Sequence, residues 1–185
     1  MCVIHDTLFW DYPKNYNPLW RKYYIKLINL GLRGNTSVIT TTKYAKKKLE
    51  RSLSKKTPSI IVIFQSFLKS KMDDDSILKT LNLEDTDYLL HVGSFDKRKD
   101  LITLLKAFKL LKEDKKNKYL KLVLAGQKIL NGNAEVLNEL EKYILKNNLS
   151  KSVLMTDYLS NPEISCLYKK ALIYVFPSIA VSYTH

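Results

Sequence analysis

Two glycines, each closing a short apolar run and each followed closely by cations, are the first places in this sequence where chemistry could sit. Gly93 ends Tyr88-Leu89-Leu90-His91-Val92 and precedes Ser94-Phe95-Asp96-Lys97-Arg98-Lys99-Asp100. Gly126 ends Leu122-Val123-Leu124-Ala125 and precedes Gln127-Lys128. A glycine lets the backbone approach a phosphate closely, and the helix start behind it turns its unpaired amides toward the same anion. Arginine can grip two phosphate oxygens at once, while lysine acts as a point charge. Taken singly, each loop also fits a merely solvated turn. On neighbouring strands the two would converge on one anion. The two cysteines, Cys2 and Cys166, are far apart and lack metal-ligand spacing. No His/Asp/Cys cluster suggests a metal, so neither a metal nor a disulfide framework is expected.

The elements that must hold these loops follow from hydrophobic patterning. Cys2-Val3-Ile4 is strand-like. Residues 8–13 read as a loop, because Pro13 and Pro18 disfavour regular structure. A helix is expected from about Trp20 to Leu32, a β-branched strand over Ser37–Thr41, and a helix over Lys43–Leu53 capped by the Thr42 hydroxyl. Ile60–Phe64 is wholly apolar, as in a strand buried on both faces. A polar stretch near residues 66–75 reads as a linker, with a weak helix over 76–81 behind it. Strands are then expected at 88–92, 122–125, 153–155 and 173–176. Between them lie the helical stripes Leu101-Leu104-Leu105-Phe108-Leu111 and Val136-Leu137-Leu140-Ile144, and a short helix over Pro162–Lys170. Strand–helix alternation predicts α/β architecture with parallel sheets.

Hydrophobic residues make up 45% of the 185, enough for a packed core, and the net charge is +13. That charge has four readings: a nucleic-acid surface, an anionic membrane surface, a nucleotide-diphosphate substrate that uses only a few of the lysines, or the Lys/Asn/Ile bias of AT-rich coding. No helix-turn-helix, zinc or RNP pattern supports the first, so no nucleic-acid partner is expected. No run of about 18 apolar residues is long enough to span a bilayer. No signal peptide is read at the start, and the expected location is cytoplasmic. The basic surface adds a second expectation, peripheral contact with the inner face of a membrane.

The ordered set of segments resembles one family. His91 to Leu101, continued by Leu104-Leu105 and Ala107-Phe108, is similar to the nucleotide-site opening of the family-4 retaining glycosyltransferases (glycosyl transferases group 1), which have the GT-B fold. Leu122–Gly126 resembles the family's second strand and glycine, Val153–Ser160 its third strand and turn, and Val175-Phe176-Pro177-Ser178 the segment just before the donor site. Ile4-His5-Asp6 with Tyr12-Pro13, and Val38 to Tyr44, resemble its acceptor-side domain. The resemblance implies two Rossmann-like parallel-sheet domains, both incomplete. Residues 1–70 would be the last part of the acceptor-side domain, 76–180 the nucleotide-sugar domain, and 181–185 a non-native tail. It also implies sugar transfer from a nucleoside-diphosphate sugar to a glycan or lipid-linked acceptor, with retention and without a cofactor, in polysaccharide assembly. Lys99 would hold the donor diphosphate with Arg98 assisting, beside Gly93, Gly126 and Lys128. Tyr158 and Leu159 would lie along the base, Ser178 at the donor-site edge, and His5 would act at the sugar.

Three positions depart from the family pattern. Ser94 stands where many relatives carry arginine, and Asp157 where glycine is commoner. After Ser178 the sequence reads Ile-Ala-Val-Ser-Tyr-Thr-His, where relatives carry an acidic pair. The chain by itself is therefore expected to be inactive, and the incomplete domains, which would leave parallel strands with unpaired edges, make marginal solubility a further expectation. Two rival readings are a non-catalytic nucleotide-binding module of the same fold and a basic nucleic-acid-binding protein.

Overall fold

Two parallel sheets organise the chain, each inside its own compact unit: residues 1–68 and residues 69–179. The computed structural model describes residues 2–32, 37–53, 59–66, 74–126 and 134–179.

In the first unit, strands β1 (Cys2–Val3), β2 (Ser37–Thr40) and β3 (Ser59–Val62) pair in that order, all parallel. The stretch expected to be a loop instead holds one helical turn, α1 (Leu8–Asp11), and a 3-10 turn over Pro13–Asn15. Local acceptors overcome the prolines: the Asp6 carboxylate accepts from the Leu8 amide (3.1 Å), and the Thr7 carbonyl accepts from Trp10 and Asp11. Helix α2 (Pro18–Leu32) starts two residues earlier than expected. Pro18 sits at its first position, where no amide is needed, and the Asn17 side chain accepts from the amide of Leu19 (2.9 Å). Thr42 caps α3 (Lys43–Ser52) through the Ala45 amide at 3.0 Å, as the sequence predicts. β3 departs from expectation. It is an edge strand with only Ile60 buried, while Ile61, Ile63 and Phe64 are exposed.

In the second unit, β4 (Tyr88–Val92), β5 (Lys121–Ala125), β6 (Val153–Met155) and β7 (Ile173–Tyr174) form a parallel sheet in the order β6-β5-β4-β7. Side chains alternate across it, as a strand's two-residue period requires. Leu89, Leu122 and Leu124 pack on one face against helices α5 (Leu101–Glu113) and α6 (Ala134–Lys146), through Leu104, Leu105, Phe108, Val136, Leu140 and Ile144. Tyr88, Leu90, Val123 and Ala125 pack on the other face with α4 (Ser76–Thr80) and α7 (Asn161–Lys170), through Ile77, Leu78, Cys166 and Leu167. Both sequence stripes thus fall on core faces, except that Leu111 is exposed. A capping box opens α7, with the Ser160 amide donating to Glu163 at 2.7 Å. β7 is shorter than expected. The chain leaves ladder geometry after Tyr174, although the Val175 amide still reaches the Leu90 carbonyl at 2.7 Å.

Most of the stretch read as a linker, the loop after Gly126 and residues 181–185 lie outside the described residues.

Candidate functional site

The chain winds from β4 through β5 to β6, then returns to the far side of β4 as β7. The reversal creates a topological switch point between β4 and β7. In open parallel sheets, ligands bind in the crevice beyond the carboxyl ends of the strands at such a point. The residues following β4, β5 and β7 are the Gly93 loop, Gly126 and the segment 175–178.

The two glycines meet there. The Gly93 amide donates to the Ala125 carbonyl at 2.9 Å. A Cβ on Gly126 would lie 1.9 Å from the Gly93 carbonyl oxygen and 2.8 Å from its carbon, so no side chain fits without backbone movement. Gly93 has φ +158°, a conformation that residues with side chains rarely adopt. A cleft of about 240 Å³ opens beside them, lined by Gly93, Ser94, Gly126, Tyr158, Leu159 and Ile164, among others. Four of the residues singled out from sequence share this cleft. Leu159 is half-buried, whereas Tyr158 is 77% exposed.

The basic run Lys97-Arg98-Lys99 forms a 3-10 turn. At three residues per turn, three consecutive side chains point three ways. Lys97 points outward and pairs with Glu135 at 2.9 Å, both side chains being well exposed. The Arg98 guanidinium is taken up by the Asp96 carboxylate at 3.1 Å, and the Arg98 backbone amide caps onto the same side chain at 2.9 Å. Ser94 also donates to Asp96, at 3.0 Å. Lys99 turns inward, its Nζ 4.6 Å from the centroid of the Phe176 ring. Burial pulls the Lys99 ammonium below the ordinary lysine range; the Asp96 carboxylate opposes that shift and the Arg98 charge adds to it.

Contacts across the switch point join this turn to the segment after β7. The Ser178 hydroxyl and the Ile179 amide both donate to the Arg98 carbonyl at 2.9 Å. His91 lies beneath Gly93, fully buried. Its Nδ1 is 3.0 Å from the Val175 carbonyl, and its ring faces Phe176 at 6.2 Å and 22°. Sequence reasoning assigned no role to His91, Asp96 or Phe176. A signal for His91 was present: it is the polar residue in an otherwise apolar strand, two positions before Gly93 and so on the same face.

Lys128 lies outside the described residues. His5 belongs to the first unit, just after β1, with an exposed side chain and its carbonyl accepting from Thr41 at 3.1 Å. The neighbouring Asp6 carboxylate accepts from the Leu8 amide. Among the described residues no group of three or more His, Cys, Asp or Glu could hold a metal ion. Nor is any helix among them long and apolar enough to cross a membrane.

Residues 73–180 match the family model described as glycosyl transferases group 1, and the chain belongs to that family. A comparison with curated proteins gives no match. Among solved structures, sucrose-phosphate synthase from Thermosynechococcus elongatus is similar at 22% identity and TM-score 0.76, over 98% of this chain and 45% of that one. Anabaena HepE in complex with UDP and glucose is similar at 17% identity and TM-score 0.75, over 97% and 46%. A glycosyltransferase from Rickettsia africae follows at 15% identity and TM-score 0.65, over 90% and 43%. The chain therefore spans a little under half the length of each. These likenesses establish the fold: two parallel-sheet, Rossmann-like domains of the GT-B kind.

Proposed function

We propose that residues 74–179 hold the nucleoside diphosphate of a sugar donor, as part of a glycosyltransferase acting with retention on a glycan or lipid-linked acceptor. The observation that carries this reading is the meeting of Gly93, Gly126, Tyr158 and Leu159 in one cleft beyond the carboxyl ends of β4, β5 and β6, with Lys99 turned inward nearby. The bare glycines admit phosphate oxygens close to the backbone, Lys99 supplies charge, and the apolar side toward Leu159 and Ile164 accepts a base. As the sugar–oxygen bond breaks, the leaving diphosphate gains negative charge, and a pre-placed ammonium and helix amides stabilise it. Arg98 contributes once the ligand competes it away from Asp96. His5 is proposed to act at the sugar. The HepE structures, bound to UDP or UDP-glucose, favour a uridine nucleotide as the first ligand to try.

The sequence carries no carboxylate after Glu163. The chain on its own is therefore proposed to bind donor without transferring sugar. Cytoplasmic location, contact with a membrane face and a role in polysaccharide assembly complete the proposal; the basic composition supports the membrane contact.

Calorimetric titration of UDP-glucose into the chain tests the reading. Saturable binding that weakens at least tenfold in Lys99→Ala is expected. No binding by the unaltered, folded chain would sink it.

A further inference from the structure

His91 has no function in the mechanism above, yet it is a buried polar side chain beside the site. It is fully buried in β4, and its Nε2 has no hydrogen-bond partner among the described residues. An orphaned buried polar atom is rare in folded proteins and calls for an explanation. Its placement is specific. A side chain on Gly93 would put Cβ 3.3 Å from His91 Nε2 and 3.7 Å from Lys99 Cε. The imidazole edge and the lysine stem thus converge on the bare face of the glycine that lines the cleft.

The ring's other nitrogen fixes its state. A backbone carbonyl can only accept, so Nδ1 carries a proton and donates to Val175. Nε2 of the neutral ring then bears a lone pair, which cannot donate to an anion. Among the described residues, the charged group facing the ring is Lys99, from the turn 97–99, with Asp96 and Arg98 behind it. Strand β5 sets Leu124 beside it in register, and the segment after β7 brings Val175 and Phe176, all uncharged. Burial and the Lys99 charge both favour the neutral ring, against the pull of the Val175 carbonyl. A diphosphate arriving over Gly93 reverses this balance, because its negative charge outweighs Lys99 at short range.

We propose that His91 is a second, proton-gated cation of the diphosphate site, neutral when the site is empty and protonated at Nε2 when a nucleotide-sugar diphosphate is bound. The inference rests on the donor-site reading above. The balance is simple: one proton comes from solvent on binding and returns when the diphosphate leaves. No bond other than N–H is made or broken.

UDP-glucose is the probe, since its diphosphate diester does not titrate between pH 5.5 and 8. Binding should tighten about tenfold from pH 8 to pH 5.5 for the unaltered chain. His91→Phe, which keeps a ring against Phe176, should bind with an affinity flat within about twofold across that range. ¹⁵N-histidine NMR supplies a readout that needs no folded variant. One of the three imidazoles should pass from the neutral, Nδ1-protonated form to the doubly protonated form on adding UDP-glucose at pH 7. The proposal is overturned if the bound spectrum keeps every ring unchanged, or if His91→Phe keeps the pH slope. Loss of binding in Lys99→Ala combined with either result would leave the donor site standing and remove only His91. Failure of UDP-glucose to bind at any pH would remove both.

Discussion

Gly126 lies so close to Gly93 that a single added methyl group would sit 1.9 Å from the Gly93 carbonyl oxygen. The obstacle is backbone, which cannot rotate aside as a side chain would. Gly126→Ala should therefore destabilise the second unit by about 1–3 kcal/mol, the usual range for overpacking. Urea denaturation followed by circular dichroism checks this. An unchanged midpoint would mean the two loops are not in contact.

Lys97 and Lys99 carry the same charge two residues apart but point in different directions. Lys97→Ala should leave UDP-glucose affinity within about twofold, since its partner Glu135 is on the surface. Lys99→Ala should weaken it by tenfold or more, about 1.4 kcal/mol. Equal losses would show that net charge, not a site, attracts the ligand.

The buried imidazole of His91 also links stability to pH. Its folded pKa lies below the ordinary 6.5, chiefly through burial, so the unfolded chain binds the proton more readily than the folded one. Stability on this account is complete above pH 6.5 and declines as pH falls from 6.5 toward the folded pKa. The slope is at most about 1.4 kcal/mol per pH unit. Thermal melts at pH 7.0 and 5.5 should differ for the unaltered chain, with a smaller difference in His91→Phe. Equal differences would assign the effect to other groups.

Asp100 adopts φ 47°, a left-handed conformation, where the basic turn passes into α5. Asp tolerates this region; a β-branched residue does not. Asp100→Val should cost about 1–2 kcal/mol and Asp100→Gly much less. Comparable melting temperatures for the two variants would contradict the assigned turn.

How far the sequence could be read depended on whether a feature was local. The strands before Gly93 and Gly126, the Thr42 cap and the stripes of α5 and α6 were legible because period and capping act within a few residues. The turn at Leu8–Asp11 was missed because side-chain acceptors on Asp6 and backbone acceptors on Thr7 outweighed two prolines. β3 was read as buried from its composition, but its exposure follows from being last in its sheet, a property of strand order. The two glycine loops suggested an anion site, and the family resemblance supplied Tyr158, Leu159 and Ser178. The division of labour among Lys97, Arg98 and Lys99 was not legible, because it depends on the pitch of a 3-10 turn. His91 and Val175 meet only after β7 has docked beside β4, 84 residues further along the chain.

That separation has a consequence for how the protein is made. Strands β4, β5 and β6 are available for pairing while the chain is still emerging from the ribosome, and their helices can cover them. Residues 173–179, which bring Val175 to His91, Phe176 to Lys99 and Ser178 to Arg98, are translated after all three of those strands. Closing so long a loop is slow, and its entropy must be offset by few contacts. Core assembly and site assembly are thus separate events in time. In pulse-labelled hydrogen exchange, the Val175 amide should gain protection after those of β5.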